Sequence, residues 1–402
     1  MGHADENPAY WDQYSNLQHV KHEVTKNYLE AWFPKLALGI NGCPELLYMD
    51  THAGRGKHSG GQHGSPLVAV NALLKHASRD KILANTNVQF FLIERDAENT
   101  NALKKEMMTL TLPDKVKVTA ETEDCFRVLE EKLDALDAAG QNFVPSFIFV
   151  DPYGFTVPGH LLRRLMAFPK VELFINVIWR ELDMAISHGR SVVKPEAPIV
   201  RGLFDNHEDE RSDGNAVEVR RAGDGKSASW SRTLDVIFNG PAWRTIDSPD
   251  DDERADQCAD LFRKIVNARW GTHLRMLDCG RTRYFLLHLT NNDCGRELMK
   301  TVIWKSCPDG GFSASKSNNP RQRLLIERTP NLEPLRRWVI DRLSSRPRKW
   351  AELTNGILAE LWLEKHLNQV IREMGKDGVI TSSNGKFFAS NNPELRLVAV
   401  PN

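Results

Sequence analysis

LLYMDTHAGRGKHSGGQHGSPL, residues 46–67, opens with a short apolar run, Leu46-Leu47-Tyr48-Met49. The run stops at an acid, Asp50, and passes straight into the turn Ala53-Gly54-Arg55-Gly56. An apolar run ended by an acid and glycines reads as a buried parallel strand that delivers a ligand loop. Glycine at 54 and 56 lets the backbone approach a ligand where a Cβ would stand in the way. Ser65-Pro66 then opens a helix through Leu67, Val70, Leu73 and Leu74, with Ser as its cap and Pro in its first turn.

Outward from this stretch, strands and helices alternate. Upstream, Leu17, Val20, Val24, Tyr28, Leu29, Trp32 and Phe33 recur at helical spacing, which predicts an amphipathic helix over residues 16–38 stopped near Pro34. Downstream, strands are predicted at 88–93 (ending at Glu94), 116–119, 146–150 (ending at Asp151) and 171–178, with helices at 97–110, 125–138 and 161–168. Such alternation implies a parallel sheet with right-handed crossovers, and the nearly continuous apolar strands imply that both faces are covered. Residues 180–232 break the pattern with Gly, Asp, Asn, Arg and Ser clusters, as expected of an insertion with a mobile part. Helices at 258–270 and 295–304 and strands at 284–289 and 324–327 are predicted to complete the sheet, with 308–320 as a loop.

From Leu332 the texture changes to three short helices (335–343, 350–361, 363–375). A hairpin follows, Val379-Ile380 and Phe387-Phe388 around Asn384-Gly385. Three helices and a hairpin make the winged helix-turn-helix pattern, so two domains are expected, 1–329 and 330–402, with an insertion near 180–270 in the first. The 402 residues suffice for both and for a large core.

The chain carries 53 Lys and Arg against 53 Asp and Glu, but the balance is uneven. From Arg321 onward there are 14 basic and 9 acidic residues, a net basic tail that suits a polyanion or a solvated helical surface. Six scattered cysteines without a CxxC pair argue against zinc-ribbon and redox modules and for reduced thiols in a cytoplasm. No apolar run is long enough to span a bilayer, and the polar, acidic first residues do not form a secretion signal.

Within the opening stretch, GRGK resembles a phosphate loop, but Thr51 stands where the first Gly of GxxxxGK[ST] belongs and His58 where Ser or Thr belongs. GxGxxG is absent too. What remains, Asp50-x-x-x-Gly54-x-Gly56, suits a nucleoside held without its phosphates, or a purely structural turn. Glu94, ending the next strand, is placed to accept hydrogen bonds from ribose hydroxyls. Asp124 begins the helix after the third strand, as a cap or as a contact for an adenine amino group. Asp151-Pro152-Tyr153-Gly154 follows the strand SFIFV at the edge where open α/β sheets bind ligands. A carboxylate there, with the adjacent backbone carbonyl, can hold an exocyclic amine and aim its lone pair at a methyl donor, while Tyr153 stacks on a base. His52, His58 and His63 have no recognised metal spacing and read as solvated loop residues.

The order DxxAGxG, an acid after the second strand and DPYG after the fourth resembles class I S-adenosylmethionine-dependent methyltransferases. The N-terminal helix bearing Lys21-His22, Tyr28 and Trp32 resembles, more narrowly, that of the three-Cys-motif partner proteins. GSPL at 64–67, DPYG in place of DPPY, and the segment YFLLHLTNNDCGRELMKTVIW fit the same family. YMDTHAGRG is also similar to the loop of ribosomal RNA adenine-N6 methyltransferases.

The resemblance implies a Rossmann-like fold with a mostly parallel seven-stranded sheet, followed by a winged helix. Asp50, His52, Gly54 and Gly56 would border S-adenosylmethionine, with Glu94 at the ribose and Asp124 at the adenine. Asp151, Pro152 and Tyr153 would form the catalytic corner, with Lys21 and His22 beside it. Two readings follow. In the first, the enzyme methylates an amino group of a DNA or RNA base, docked through Lys365, Arg372 and Lys386. In the second, the chain is a cofactor-binding protein that serves a genetically linked three-Cys-motif or phage-like partner. A nuclease is a weaker third reading, since no metal-binding nuclease spacing is present.

Overall fold

The computed structural model describes residues 14–190, 224–307, 312–315 and 330–398. Helix α1 (Asn16–Ala37) starts at a capping box, the Ser15 hydroxyl accepting from the Gln18 N–H while Gln18 accepts from the Ser15 N–H. It continues through Pro34 rather than stopping there. Proline removes one backbone donor, and in the last turn the ladder closes beyond it through Leu38 N–H to Pro34 O at 2.9 Å.

The chain then alternates through β1 (Glu45–Asp50), α2 (Ser65–Leu74), α3 (Arg79–Asn85), β2 (Asn87–Glu94) and α4 (Ala97–Met108). It goes on through β3 (Val116–Thr122), α5 (Cys125–Ala139), β4 (Ser146–Val150), α6 (Gly159–Met166) and β5 (Val171–Val177). Next come α7 (Trp179–Arg190), α8 (Asp224–Ile237), α9 (Asp251–Ile265), β6 (Trp270–Asp278), β7 (Arg281–Thr290), α10 (Asp293–Ser306) and β8 (Ser313–Ser315).

These strands form one sheet in the order β3-β2-β1-β4-β5-β7-β6-β8, with β7 antiparallel to both of its neighbours. This is the Rossmann-like α/β fold expected, with one strand more than the seven anticipated. Strand β6 escapes sequence reading because it is only half-buried: its alternation spans just Thr272, Leu274 and Met276, and one of these three is polar. Strand β8 is three residues long and lies within the segment expected to be a loop. The strand expected at 324–327 lies outside the described residues. Because β2 and β4 both flank β1, the winding reverses there, and the carboxyl ends of β1 and β4 open a crevice.

Each sheet face carries its own core. On one side α1, α2 and α10 bury Tyr28, Trp32, Phe33, Leu73 and Ile303 against Tyr48, Phe90 and Phe147. On the other, α5 to α9 bury Leu133, Leu165, Trp179, Leu234 and Phe262 against Ile148 and Ile175. The described parts of the region expected to be an insertion are therefore helices of the second layer. The periodicity at Trp179, Leu182, Ala185 and Ile186, all buried, was hidden among charged residues. The expected mobile part falls mostly outside the described residues. Helix α1 is also tied down by polar groups: the Tyr28 hydroxyl donates to the buried Glu172, which His288 Nε2 approaches at 2.9 Å.

A third core lies in α11 (Glu333–Ser344), β9 (Arg348–Lys349), α12 (Trp350–Ile357), α13 (Glu364–Lys376), β10 (Ile380–Ser382) and β11 (Glu394–Leu397). The three strands form an antiparallel sheet, β10-β11-β9. The expected hairpin is corrected in one respect: β10 pairs with 395–397 and not with Phe387-Phe388. Asn384-Gly385 does turn, with Gly385 N–H to Ser382 O at 3.2 Å, but Phe387 packs over Gly375 on α13.

Helix α10 grips this unit at the α12–α13 turn. Lys300 Nζ donates to the carbonyls of Ile357, Glu360 and Trp362 at 2.9–3.2 Å, and Trp304 Nε1 to that of Leu361 at 2.8 Å. Arg296 reaches the carbonyls of Leu358, Ala359 and Glu360. The last carbonyls of a helix lack intrahelical donors and carry the negative end of its dipole, so buried cations are suited to them. Among the described residues no helix is long and apolar enough to cross a membrane.

Candidate functional site

Strand β1 delivers Asp50 fully buried beneath the glycine loop. Its oxygens accept the His52 N–H at 3.2 Å and the Tyr48 hydroxyl at 3.3 Å. The loop is fastened from β2: Glu94, 3% exposed, accepts the N–H of Gly54 at 2.8 Å and of Asp96 at 2.9 Å. Ala53 N–H bonds Ile93 O at 2.9 Å. Gly56 has φ of +78°, and a Cβ there would come within 2.7 Å of Leu103 Cδ1, so the position requires glycine. Asp50, Glu94 and Gly56 thus shape the loop from behind, while His52, Ala53 and Gly54 face the cleft. Asp124 caps α5, accepting the N–H groups of Phe126 and Arg127 at 3.0 Å, and stands exposed outside the cleft.

Strand β4 delivers the DPYG corner. Asp151 Oδ2 accepts from Lys21 Nζ of α1 at 2.5 Å, and its Oδ1 from Asn176 Nδ2 of β5 at 2.6 Å. Since a carboxylate only accepts, the Asn176 amide must present its NH2 to Asp151. Its carbonyl oxygen is then buried without a hydrogen-bond partner. Gly154, with φ of +83°, turns the backbone sharply after Tyr153, a residue 38% exposed. His22 accepts or shares a proton with the Tyr14 hydroxyl at 2.9 Å, and Tyr14 sits edge-on to His58, 5.1 Å between ring centroids.

Together these groups line a cleft of about 710 Å³ that takes in Lys21, His22, His52, Gly54, Asp151 and Asn176. The sequence-predicted catalytic residues and one side of the cofactor loop are therefore brought together. Asn176 was missed; the signal for it is a lone amide in the apolar strand VELFINV, at the carboxyl end beside β4. Arg180 and Arg283, which also border the cleft, come from segments too distant in sequence to be foreseen. His58 is corrected from a solvated loop residue to a buried one, against Tyr14, and His52 to a half-buried one, against Cys125 and Phe126 at the start of α5. Lys365 and Arg372 are exposed on α13 and Lys386 between β10 and β11, with Glu364 and Glu373 interleaved. The Arg372 guanidinium lies 5.3 Å over the half-exposed Phe388 ring.

The charges follow from burial and partners. Burial alone would raise the Asp151 carboxyl, but Lys21 and Asn176 outweigh it and hold it below the ordinary value. Burial, with Lys21 adding, lowers His22 to about 3, and burial lowers His52 to about 4, so both imidazoles are neutral at pH 7. Burial raises Asp50 to about 7 despite the Ser65 hydrogen bond, with the Asp151 charge contributing.

The sign of the resulting pH dependence is definite. For Asp50, raised from 3.8 to about 7, the stabilisation is full below 3.8 and lost as pH climbs to about 7. His22 and His52 act oppositely, their contribution being full above 6.5 and lost on acidification. Asp50→Asn removes only the first term. Its stability relative to the natural protein, read from melting temperatures, is expected to be highest near about pH 8 and to fall toward about pH 5 by about 3 kcal/mol at most. A pH-independent difference between the two proteins would show that Asp50 does not titrate in this window.

No family model matches the chain, and no curated protein matches it in sequence. Solved structures of similar layout include protein LPL1258 from Legionella pneumophila str. Philadelphia 1, described with family-model DUF519. It is 14% identical with a TM-score of 0.34, over 74% of this chain and 95% of that one. The plantazolicin methyltransferase BamL, solved with a desmethyl analogue and SAH, is 8% identical with a TM-score of 0.30, over 68% and 86% of the two chains. The delta-N METTL16 MTase domain is 12% identical with a TM-score of 0.28, over 67% and 82%.

Proposed function

We propose that this protein transfers a methyl group from S-adenosylmethionine to an exocyclic amino group of a nucleic-acid base. The observation that carries the reading is the pair of acceptors at the end of β4 and β5. Asp151 is held ionised by Lys21, and beside it the Asn176 carbonyl oxygen is buried and unpartnered. An amine with two N–H groups satisfies both, which leaves its lone pair directed away from them. The cleft volume falls in the about 300–1,000 Å³ range of small-molecule sites, and its glycine loop and neutral imidazoles suit a nucleoside without phosphates.

S-adenosylmethionine, when bound, supplies an electrophilic methyl group on a positively charged sulfur. His52, Ala53 and Gly54 would hold it, with Glu94 keeping the loop in place. With that cofactor bound, the amine nitrogen would form the new N–C bond as the S–C bond broke. Asp151 and Asn176 orient the amine and stabilise the positive charge that grows on nitrogen. A carboxyl held below its ordinary value is a weak base, so the surplus proton leaves to water rather than resting on Asp151. Tyr153, at the mouth, offers a ring on which the base stacks. The basic C-terminal unit, beginning near residue 330 and built in winged helix order, would dock the polyanion through Lys365, Arg372 and Lys386. The same motifs support placing the chain among the three-Cys-motif partner proteins.

Calorimetric titration with S-adenosylmethionine tests the cofactor half of this reading without knowledge of the substrate. The protein is expected to bind, and Glu94→Ala, which frees the Gly54 N–H, to bind at least about tenfold more weakly. Absence of binding by the natural protein would overturn the reading.

A further inference from the structure

The hairpin of β6 and β7 carries two arginines that the proposed transfer does not use. Cys279 and Gly280 make its two-residue turn with φ of +51° and +76°, and Asp278 faces Arg281 across it. Positive φ at both positions matches the strand twist, so this turn fixes the register. Alternation along β7 then exposes Arg281 and Arg283 on one face and buries Thr282 and Tyr284 on the other. Thr282 Oγ1 donates to Asp252 at 3.0 Å and pins the strand.

Arg283 borders the catalytic cleft together with Arg180 from the first turn of α7. Both also line a second cavity of about 660 Å³ that extends to Arg281. The carboxylates of that cavity are already engaged. Arg254 holds Asp183 with two hydrogen bonds, at 2.8 and 2.9 Å. Trp179 Nε1 holds Asp251 at 3.1 Å, and Asp278 lies 3.4 Å from Arg283. Arg180 and Arg281 are exposed and have no hydrogen-bond or ion-pair partner among the described residues.

We propose that Arg180, Arg281 and Arg283 form a phosphate track along which the backbone of a single-stranded nucleic acid leaves the catalytic cleft. This rests on the proposed methylation of a base. An amine bound at Asp151 must be out of any base stack, so the flanking backbone has to cross the rim. Guanidinium forks bind phosphate with two hydrogen bonds; unpaired Arg180 stands with Arg283 at the wall shared by the two cavities, and unpaired Arg281 stands farther along the second, so the three follow one path out of the cleft. Tyr153 at the mouth would supply the stacking partner common in single-strand sites.

The test is fluorescence anisotropy of a short, labelled, mixed-sequence oligonucleotide, as DNA and as RNA, across a salt series. The full chain is compared with the double variant Arg180→Gln/Arg281→Gln. Both residues are exposed, so the thermal midpoint is expected to be unchanged. The variant is expected to bind about tenfold more weakly, with a log–log salt slope shallower by about 1.4, two single-strand phosphate contacts at about 0.7 each. Equal affinity and slope in the two proteins would overturn the track and leave the nucleic-acid reading standing. Failure of the natural protein to bind either oligonucleotide while it binds S-adenosylmethionine would overturn the track and the substrate class together, but not methyl transfer. Displacement of the oligonucleotide by polyglutamate of equal charge would overturn the assignment in favour of an acidic protein. A preference for RNA over DNA, lost in the variant, would confirm the track and identify the natural strand.

Discussion

Asp151→Asn is expected to lower methyl transfer by about 100- to 1,000-fold while leaving the affinity for S-adenosylmethionine close to that of the natural protein. Both oxygens of Asp151 accept from donors, Lys21 and Asn176. An asparagine there satisfies Lys21 with its carbonyl and turns its NH2 toward residue 176. The Asn176 amide then rotates to accept, which consumes the acceptor assigned to the substrate amine. Fold and pocket survive, but charge stabilisation and one of the two amine anchors are lost. The measurement is transfer of labelled methyl to nucleic acid, alongside calorimetry on the same preparation. Full activity in the variant would remove Asp151 from the mechanism.

Lys21→Met separates the carboxylate from its cation. Removing one partner of a buried pair costs about 3–5 kcal/mol, and burial, no longer opposed by Lys21, raises the Asp151 carboxyl. The variant should therefore lose activity most at acid pH and regain part of it as pH rises, a profile that a simple packing defect would not give.

The second large effect is expected in the grip of α10 on the C-terminal unit. Lys300→Met should cost about 3 kcal/mol, because three buried carbonyls lose their shared donor at once. Glu297, 2.5 Å from the same ammonium but 38% exposed, should matter far less, with Glu297→Gln costing about 0.5 kcal/mol. Thermal melting compares the two, and limited proteolysis of Lys300→Met is expected to release the unit beginning near residue 330. Equal melting of the two variants would mean that the carbonyl contacts add nothing to the ion pair.

The sheet was legible in the sequence wherever strands are fully buried. SFIFV and VELFINV are apolar apart from Ser146, Glu172 and Asn176 because both faces are covered, and their ends announce the ligand edge. Strand β6 was not legible, since at the far side of the sheet half of its residues meet solvent and are free to be polar. Asp151 and Tyr153 were found from a motif that marks a strand end, and Lys21 from the resemblance of its helix. Asn176 and Arg283 were not, because they reach the cleft only when β5 lies beside β4 and β7 beside β5. The histidines were misjudged because what covers them is distant in sequence: Tyr14 lies against His58, and Cys125 and Phe126 lie against His52.

Helix α1 is the first described element to leave the ribosome, yet its partners arrive late. Lys21 waits for Asp151, 130 positions on, and Tyr28 for Glu172, 144 positions on, where His288 must also join. Contacts of such separation form slowly, since the intervening chain must be closed before they give any return. During synthesis the face bearing Val24, Tyr28, Leu29, Trp32 and Phe33 has no sheet to cover it, and an uncovered apolar helix invites association with other nascent chains. The Lys21–Asp151 corner is thus completed in one of the later docking steps of folding, when α1 closes over strands made long after it.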